Sequence, residues 1–381
     1  MTIPSMKAML EALIAAPSVS SVNPGWDQGN EGVIELLDQW TRALGFDTRV
    51  LEIPGHPHKL NLVASAGSGP DGLILSGHTD TVPYDAQRWG FDPFRLTESG
   101  GRLYGLGTSD MKSFFAIALE AVRDLDLARL RHPLVILGTA DEESTMCGAQ
   151  RLVDLQIRLG RHAVIGEPTG LRPVRMHKGI AMEAIRVHGR SGHSSDPSLG
   201  LNALEGMHRV IADILAWRTE LQRRFRNEAF RVPVPTLNLG HIHGGDNPNR
   251  ICGDCELQID LRPLPGMALP ALREELRVRL ERLLSGSGMA LELVPLFKGI
   301  EAMETPADAA IVQAGEELTG HEAVAVAFGT EGPYFAQLGL QTMILGAGDI
   351  DQAHQPDEFI DPARLAPMAE VIRGLVRRFC L

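Results

Sequence analysis

Ser76-Gly77-His78-Thr79-Asp80-Thr81-Val82-Pro83 closes a short apolar run, Leu73-Ile74-Leu75. An imidazole can bind a metal ion through one ring nitrogen while a carboxylate holds the other and fixes its tautomer. His78 and Asp80 are two apart, so on a strand both side chains leave from the same face. Alone, the pair fits an ordinary polar turn equally well. The pattern repeats, however. The apolar run 134–140 ends in Asp141-Glu142-Glu143, and Ala163-Val164-Ile165-Gly166 ends in Glu167-Pro168-Thr169. Adjacent carboxylates repel; at the tip of an apolar strand they are expected to face a cation. On an extended chain Glu142 and Glu143 point apart and cannot share one role. Between the runs, Gly105-Leu106-Gly107-Thr108-Ser109-Asp110-Met111-Lys112 places an acid at an expected helix start. This loop lacks the Gly-Lys-Ser/Thr ending of a phosphate loop. Asp110 can serve a shared site, or simply cap the helix. His354 lies in a polar loop ahead of the last helix.

Buried parallel strands place their C-terminal ends at one sheet edge, so these side chains converge on one shared site. Apolar periodicity predicts helices over 5–16, 30–44 and 148–159, and one after Asp110 through Ala116, Leu119 and Val122. Strands are expected over 46–53 and 60–64, besides the three that end in acids. The pattern changes near residue 175. Alternation over 180–187, a helix over 202–218, strands over 233–240 and 255–262, a helix over 269–284 and a strand over 291–296 give the order β-α-β-β-α-β. That order is the one of a ferredoxin-like α+β unit. The reading is a catalytic domain of residues 1–176 and 291–381, interrupted by an inserted domain at 177–290. The first domain resumes with a helix near 307–318, strands near 324–328 and 342–345, and a helix over 362–379.

The 381 residues carry a formal net charge of −12. An acidic balance argues against nucleic-acid and anionic-membrane partners. Four cysteines argue against a disulfide scaffold and fit a reducing compartment. With neither a secretory signal pattern nor a run of about 20 apolar residues, a cytoplasmic location is expected. Cys252 and Cys255 read as structural. His56, His58, His241 and His243 read as loop residues.

Taken in order, His78-x-Asp80-x-Val82-Pro83, Gly107-x-x-Asp110-Met111-Lys112, Glu142-Glu143, Glu167-Pro168 and His354 resemble the dinuclear-zinc amidohydrolases. That family includes acetylornithine deacetylase, succinyl-diaminopimelate desuccinylase, aminoacylase and carboxypeptidase G. The resemblance spans residues 78–354 and is greatest to the acetylornithine/acetylcitrulline deacetylase group. It implies an α/β fold: a three-layer zinc-peptidase-like catalytic domain with an α+β lid that also dimerises the chain. It implies one or two divalent ions, zinc or cobalt, with His78 and Glu167 on one, Glu143 and His354 on the other, and Asp110 bridging. Glu142 is then the general base and Asp80 orients His78. His193, in the insert, is implied to stabilise the oxyanion, and Asn249, Arg262, Gly329 and Glu331 to contact substrate. Glu331 would meet a polar or cationic tail. The implied reaction is deacetylation of a small N-acetyl amino acid of arginine biosynthesis, with acetylcitrulline preferred by overall similarity. A dipeptidase or carboxypeptidase with the same site, or a non-catalytic metal binder, are the alternatives. Cys252 stands where the family often has proline.

Overall fold

Leu73–His78 is buried along its whole length, as a parallel strand covered on both faces should be. In the computed structural model, which describes residues 3–381, it is central to a sheet. Leu134–Thr139 and His162–Ile165 flank it, both parallel. Gln341–Ile344 runs parallel to His162–Ile165 on the far side. On the near side, Leu60–Ala66 is antiparallel to Leu134–Thr139, and Asp47–Glu52 to Leu60–Ala66. His78 pairs with Thr139 and Ser76 with Ile165, so the three acid-bearing strand ends lie side by side.

The helix Ser113–Val122 packs on this sheet and buries Phe114, Phe115, Ile117, Leu119 and Val122. Each large apolar side chain so buried stabilises the fold by about 1.5–3 kcal/mol. Two glycines let the helix approach. A Cβ on Gly77 would lie 2.6 Å from Met111 Cε, and one on Gly166 would lie 2.0 Å from Phe114 Cγ. The helix Leu365–Phe379 packs against Ser113–Val122 and shares its apolar cluster. Glu31–Ala43 covers Leu60–Ala66 with Val33, Ile34, Leu37 and Trp40. Their i, i+1, i+4, i+7 spacing makes one helical face.

These elements belong to a compact unit of Met1–Arg175, Thr305–Val324 and Thr330–Leu381. The second unit is Met176–Glu304 with Ala325–Gly329. Its antiparallel sheet has the order Thr236–Gly244, Asp254–Arg262, Ala181–His188, Ala290–Pro295. Counted along the chain, that is 2-3-1-4, the ferredoxin-like order. Helices Ala203–Arg224 and Leu269–Leu284 pack with this sheet, and Trp217, Leu221, Leu276 and Leu280 are in its core. The insert expected over 177–290 and this unit differ at the C-terminal edge. The strand Ala290–Pro295 pairs with Ala181–His188, which keeps it with the insert.

Candidate metal centre

His78 ends its strand, and Asp80 follows it; both are buried. The imidazole has two different sides. Nδ1 lies 3.1 Å from the Asp80 carbonyl oxygen and 3.7 Å from the Asp80 carboxylate. Nε2 lies 3.1 Å from Asp110 Oδ1 and 4.0 Å from Glu167 Oε1. Nδ1 is thus the anchored nitrogen and Nε2 faces the acids. The Asp80 carboxylate itself accepts the backbone N–H of Glu142 at 3.2 Å and of Glu143 at 3.1 Å. Asp80 therefore holds His78 mainly through its carbonyl, and fixes the turn carrying both glutamates through its side chain.

That turn corrects the extended geometry expected for Glu142 and Glu143. Residues 142–145 are a turn, entered through Asp141 at φ 63°. Asp141 leaves the cluster and pairs with Lys59 Nζ at 2.9 Å and with the hydroxyls of Ser20 and Thr145. These donors hold its carboxyl down at about 2, against the burial that opposes its charge. Glu142 and Glu143 stay together. Donor atoms of His78, Asp110 and Glu143 lie within 4.8 Å of one another, as do those of His78, Glu142 and Glu167. His354, half-exposed, brings Nε2 to 3.1 Å from Glu143 and 3.6 Å from Asp110 Oδ2. Asp110 thus turns one oxygen to each histidine.

Asp110 caps no helix. The helix opens at Ser113, and no side chain caps it. Its N–H instead donates to Glu358 Oε1 at 2.9 Å. Lys112, buried, donates to the Ala16 and Leu13 carbonyls at 2.8 and 3.3 Å, tying the end of Met6–Ala15 to this loop. Burial pushes its ammonium down to about 7.

The charges are crowded. Burial and the neighbouring Glu167 hold Glu142 well above the usual carboxylate range, and burial and Asp110 do the same to Glu167. Burial opposes charge on His78, yet Asp110, Glu167 and Asp80 hold its pKa well above the ordinary value. The Glu143 carboxylate raises His354 to about 9. A divalent cation relieves this repulsion and replaces the imidazole protons. Two imidazoles and four carboxylates are also the donor chemistry that zinc and cobalt accept. The residues fit a metal centre.

Glu331 is fully buried and accepts a hydrogen bond from Thr139 Oγ1 at 2.8 Å. Burial pushes it up to about 7. Its carboxyl is held at the tip of the strand Leu134–Thr139 and lies close enough to Glu142 for its charge to raise that residue's pKa. In the insert, His193 is exposed, with Nδ1 2.7 Å from Ser195 Oγ, and bridges to Arg250. Asn249 is exposed and its carbonyl accepts the Ser194 N–H. Arg262 Nε lies 3.0 Å from Asp260. Gly329, partly buried, ends the short return of the chain through this unit. His241 and His243 are not loop residues: both sit on the strand Thr236–Gly244. All four cysteines are free. Sequence reasoning missed the Asp80 grip on the 142–143 backbone and the role of Glu358. The latter's signal was a second acid four residues after His354.

A shared aspartate between two histidine-containing donor groups, with an extra glutamate beside them, is the equipment of a metal-dependent amidohydrolase. Residues 74–378 match the model of peptidase family M20/M25/M40, and the chain belongs to that family. Acetylornithine deacetylase of Pasteurella multocida (strain Pm70) is 48% identical over 378 residues, covering 99% of this chain and 99% of that one. A tripeptidase structure from Staphylococcus aureus superposes with a TM-score of 0.76 at 18% identity, covering 98% and 97% of the two chains. A Bacillus subtilis protein described as a dinuclear metal-binding peptidase of the M20 family gives 0.67 at 15%, covering 97% and 96%. At these identities the structures speak for the fold alone. Among the described residues no helix is long and apolar enough to cross a membrane.

Proposed function

We propose that this chain removes the acetyl group from N-acetylornithine, releasing acetate and the free amino acid. The observation that carries the reading is Asp110, which offers Oδ1 to His78 and Oδ2 to His354 while Glu142 stands beside them. His78, Glu167 and Asp110 would hold one divalent ion; Glu143, His354 and Asp110 the other. Such ions supply Lewis acidity, which polarises an amide carbonyl and acidifies water. Glu142 takes the proton of the attacking water and delivers it to the leaving amine. Asp80 keeps Glu142 in place through its backbone N–H. The near-half identity to an acetylornithine deacetylase along the whole chain supports the substrate. No residue carries the preference for acetylcitrulline expected from overall similarity, so acetylornithine takes its place.

By the same reading the insert is a lid and a dimer contact. His193 then stabilises the oxyanion, Asn249 contacts the substrate, and Arg262 holds the substrate carboxylate. Unchanged turnover in His193→Ala would remove it from the mechanism. A single-chain mass in sedimentation would remove the dimer.

The test of function is amine release from N-acetylornithine and N-acetylcitrulline by chelated enzyme, with and without zinc or cobalt. Metal-restored cleavage favouring acetylornithine is expected. A preference for acetylcitrulline keeps the mechanism and overturns the substrate. No cleavage of either by protein shown to hold metal overturns the proposal and leads to a dipeptide panel.

A further inference from the structure

Glu358 is 1% exposed and its carboxylate is fully engaged by main-chain donors. Oε2 accepts the Gly107 N–H at 2.9 Å. Oε1 accepts the Ser109 N–H at 2.7 Å and the Asp110 N–H at 2.9 Å. The Glu358 carbonyl takes the Gly105 N–H at 3.0 Å as well. One residue thus collects four of the six backbone donors of the segment from Gly105 to Asp110. Gly107 bends that segment with φ 85°, a left-handed conformation suited to glycine. Convergent backbone N–H groups of this kind form a cradle for an anion. Here the group in the cradle is a carboxyl of the chain itself.

The other partner is the loop of His354. Glu358 lies four residues beyond that histidine, and Asp349 lies five before it. Ser109 Oγ donates to the Asp349 carbonyl at 3.0 Å and accepts the Asp349 N–H at 2.8 Å. Asp349 and Glu358 therefore grip the Asp110 segment from the two ends of the His354 loop. Both Glu358 oxygens are taken by N–H donors, so Glu358 is not itself placed to bind metal.

We propose that Glu358 is a positioning residue that locks the Asp110 segment to the His354 loop and so sets the 3.6 Å spacing of Asp110 Oδ2 and His354 Nε2. The proposal rests on Asp110 being the shared metal ligand. Without the carboxylate the two loops keep the Ser109–Asp349 contact but lose the three bonds nearest Asp110. The ion held between Asp110 and His354 is the one that suffers.

The test uses the full-length enzyme stripped of metal and titrated with cobalt, read by calorimetry and by visible absorption. Wild type is compared with Glu358→Gln and Glu358→Ala. Glutamine keeps one acceptor for Ser109 and Asp110 but turns an NH2 toward the Gly107 N–H, so it is the milder change. Partners that hold metal ligands in place are worth about 10–100-fold in metal affinity. The expected result is a second cobalt ion bound about tenfold or more weakly in Glu358→Ala, with a smaller loss in Glu358→Gln. The cobalt spectrum should change and kcat should fall more than KM rises. A folded Glu358→Ala with wild-type cobalt affinities and spectrum overturns the proposal, even if its melting temperature falls. If the alanine variant does not fold, wild-type cobalt binding by Glu358→Gln overturns it alone. Wild type that takes up fewer than two cobalt ions overturns the dinuclear reading, and this proposal with it.

Discussion

Replacing Glu142 by alanine separates two roles that the geometry allows. Glu142 shares a donor group with His78 and Glu167, so it is close enough to be a ligand. It is also the carboxylate left over once His78, Glu167, Glu143, His354 and Asp110 are assigned. As a general base it should contribute about 10²–10⁴ in rate, or about 3–5 kcal/mol. The local charges sharpen the contrast. Burial raises the pKa of Glu142, and the charges of Glu167, Glu143 and Glu331 raise it further. Removing it relieves repulsion that metal would otherwise relieve, while leaving the five assigned donors in place. Metal content should therefore persist. The assay is metal per chain after dialysis, set beside kcat and KM on N-acetylornithine, with Glu167→Ala as the ligand-loss control. A base gives two metals retained, kcat down at least a hundredfold and KM little changed. Turnover within tenfold of wild type refutes the base assignment. Loss of a metal equivalent as large as that in Glu167→Ala makes Glu142 a ligand instead.

Asp80→Asn sets an amide NH2 against the N–H of Glu142 or Glu143, leaving a buried donor unpaired at about 1–3 kcal/mol. Urea unfolding should shift by that amount and kcat should fall at least tenfold; an unchanged kcat would dissociate the 142–143 turn from catalysis. Asp141 has a folded pKa of about 2 against an ordinary 3.8, so its stabilisation is present above the ordinary value and fades as pH falls toward the folded one. The stability gap between wild type and Asp141→Asn should shrink from about 2 kcal/mol at pH 6 to about 1 kcal/mol at pH 3. A gap constant with pH in urea titrations would mean Asp141 acts through packing rather than charge. Gly166→Ala drives a methyl into the Phe114 ring and should cost about 1–3 kcal/mol or more. A wild-type melting temperature for that variant would contradict the close helix–strand approach.

The strands that carry the site were legible because a buried parallel strand is an unbroken apolar run, and a polar residue at its tip interrupts the pattern. Leu73 to His78 and Leu134 to Thr139 are of this kind. The insert was legible from alternation, as in Asp254–Arg262, where every second residue is buried. What escaped notice works through the main chain. The Asp80 carboxylate binds backbone N–H groups, and so does that of Glu358, and neither partner leaves a mark in residue type. Asp141 was misread for a different reason. Its side-chain direction depends on a positive φ at 141, which composition does not encode. The edge of the insert at Ala290–Pro295 was set by strand pairing, a long-range choice.

The donors come from both sides of the inserted unit, and this has a consequence during synthesis. His78, Asp110, Glu142, Glu143 and Glu167 leave the ribosome early, whereas His354 and Glu358 follow roughly 190 residues after Glu167. At 5–20 residues per second the interval is on the order of ten to forty seconds. Throughout it the nascent chain presents one histidine and its acids without the loop that secures the shared aspartate. Gln341–Ile344, which pairs beside His162–Ile165, emerges only at the end of that wait. The full set of clustered donors is thereby complete only once the last part of the chain has been made.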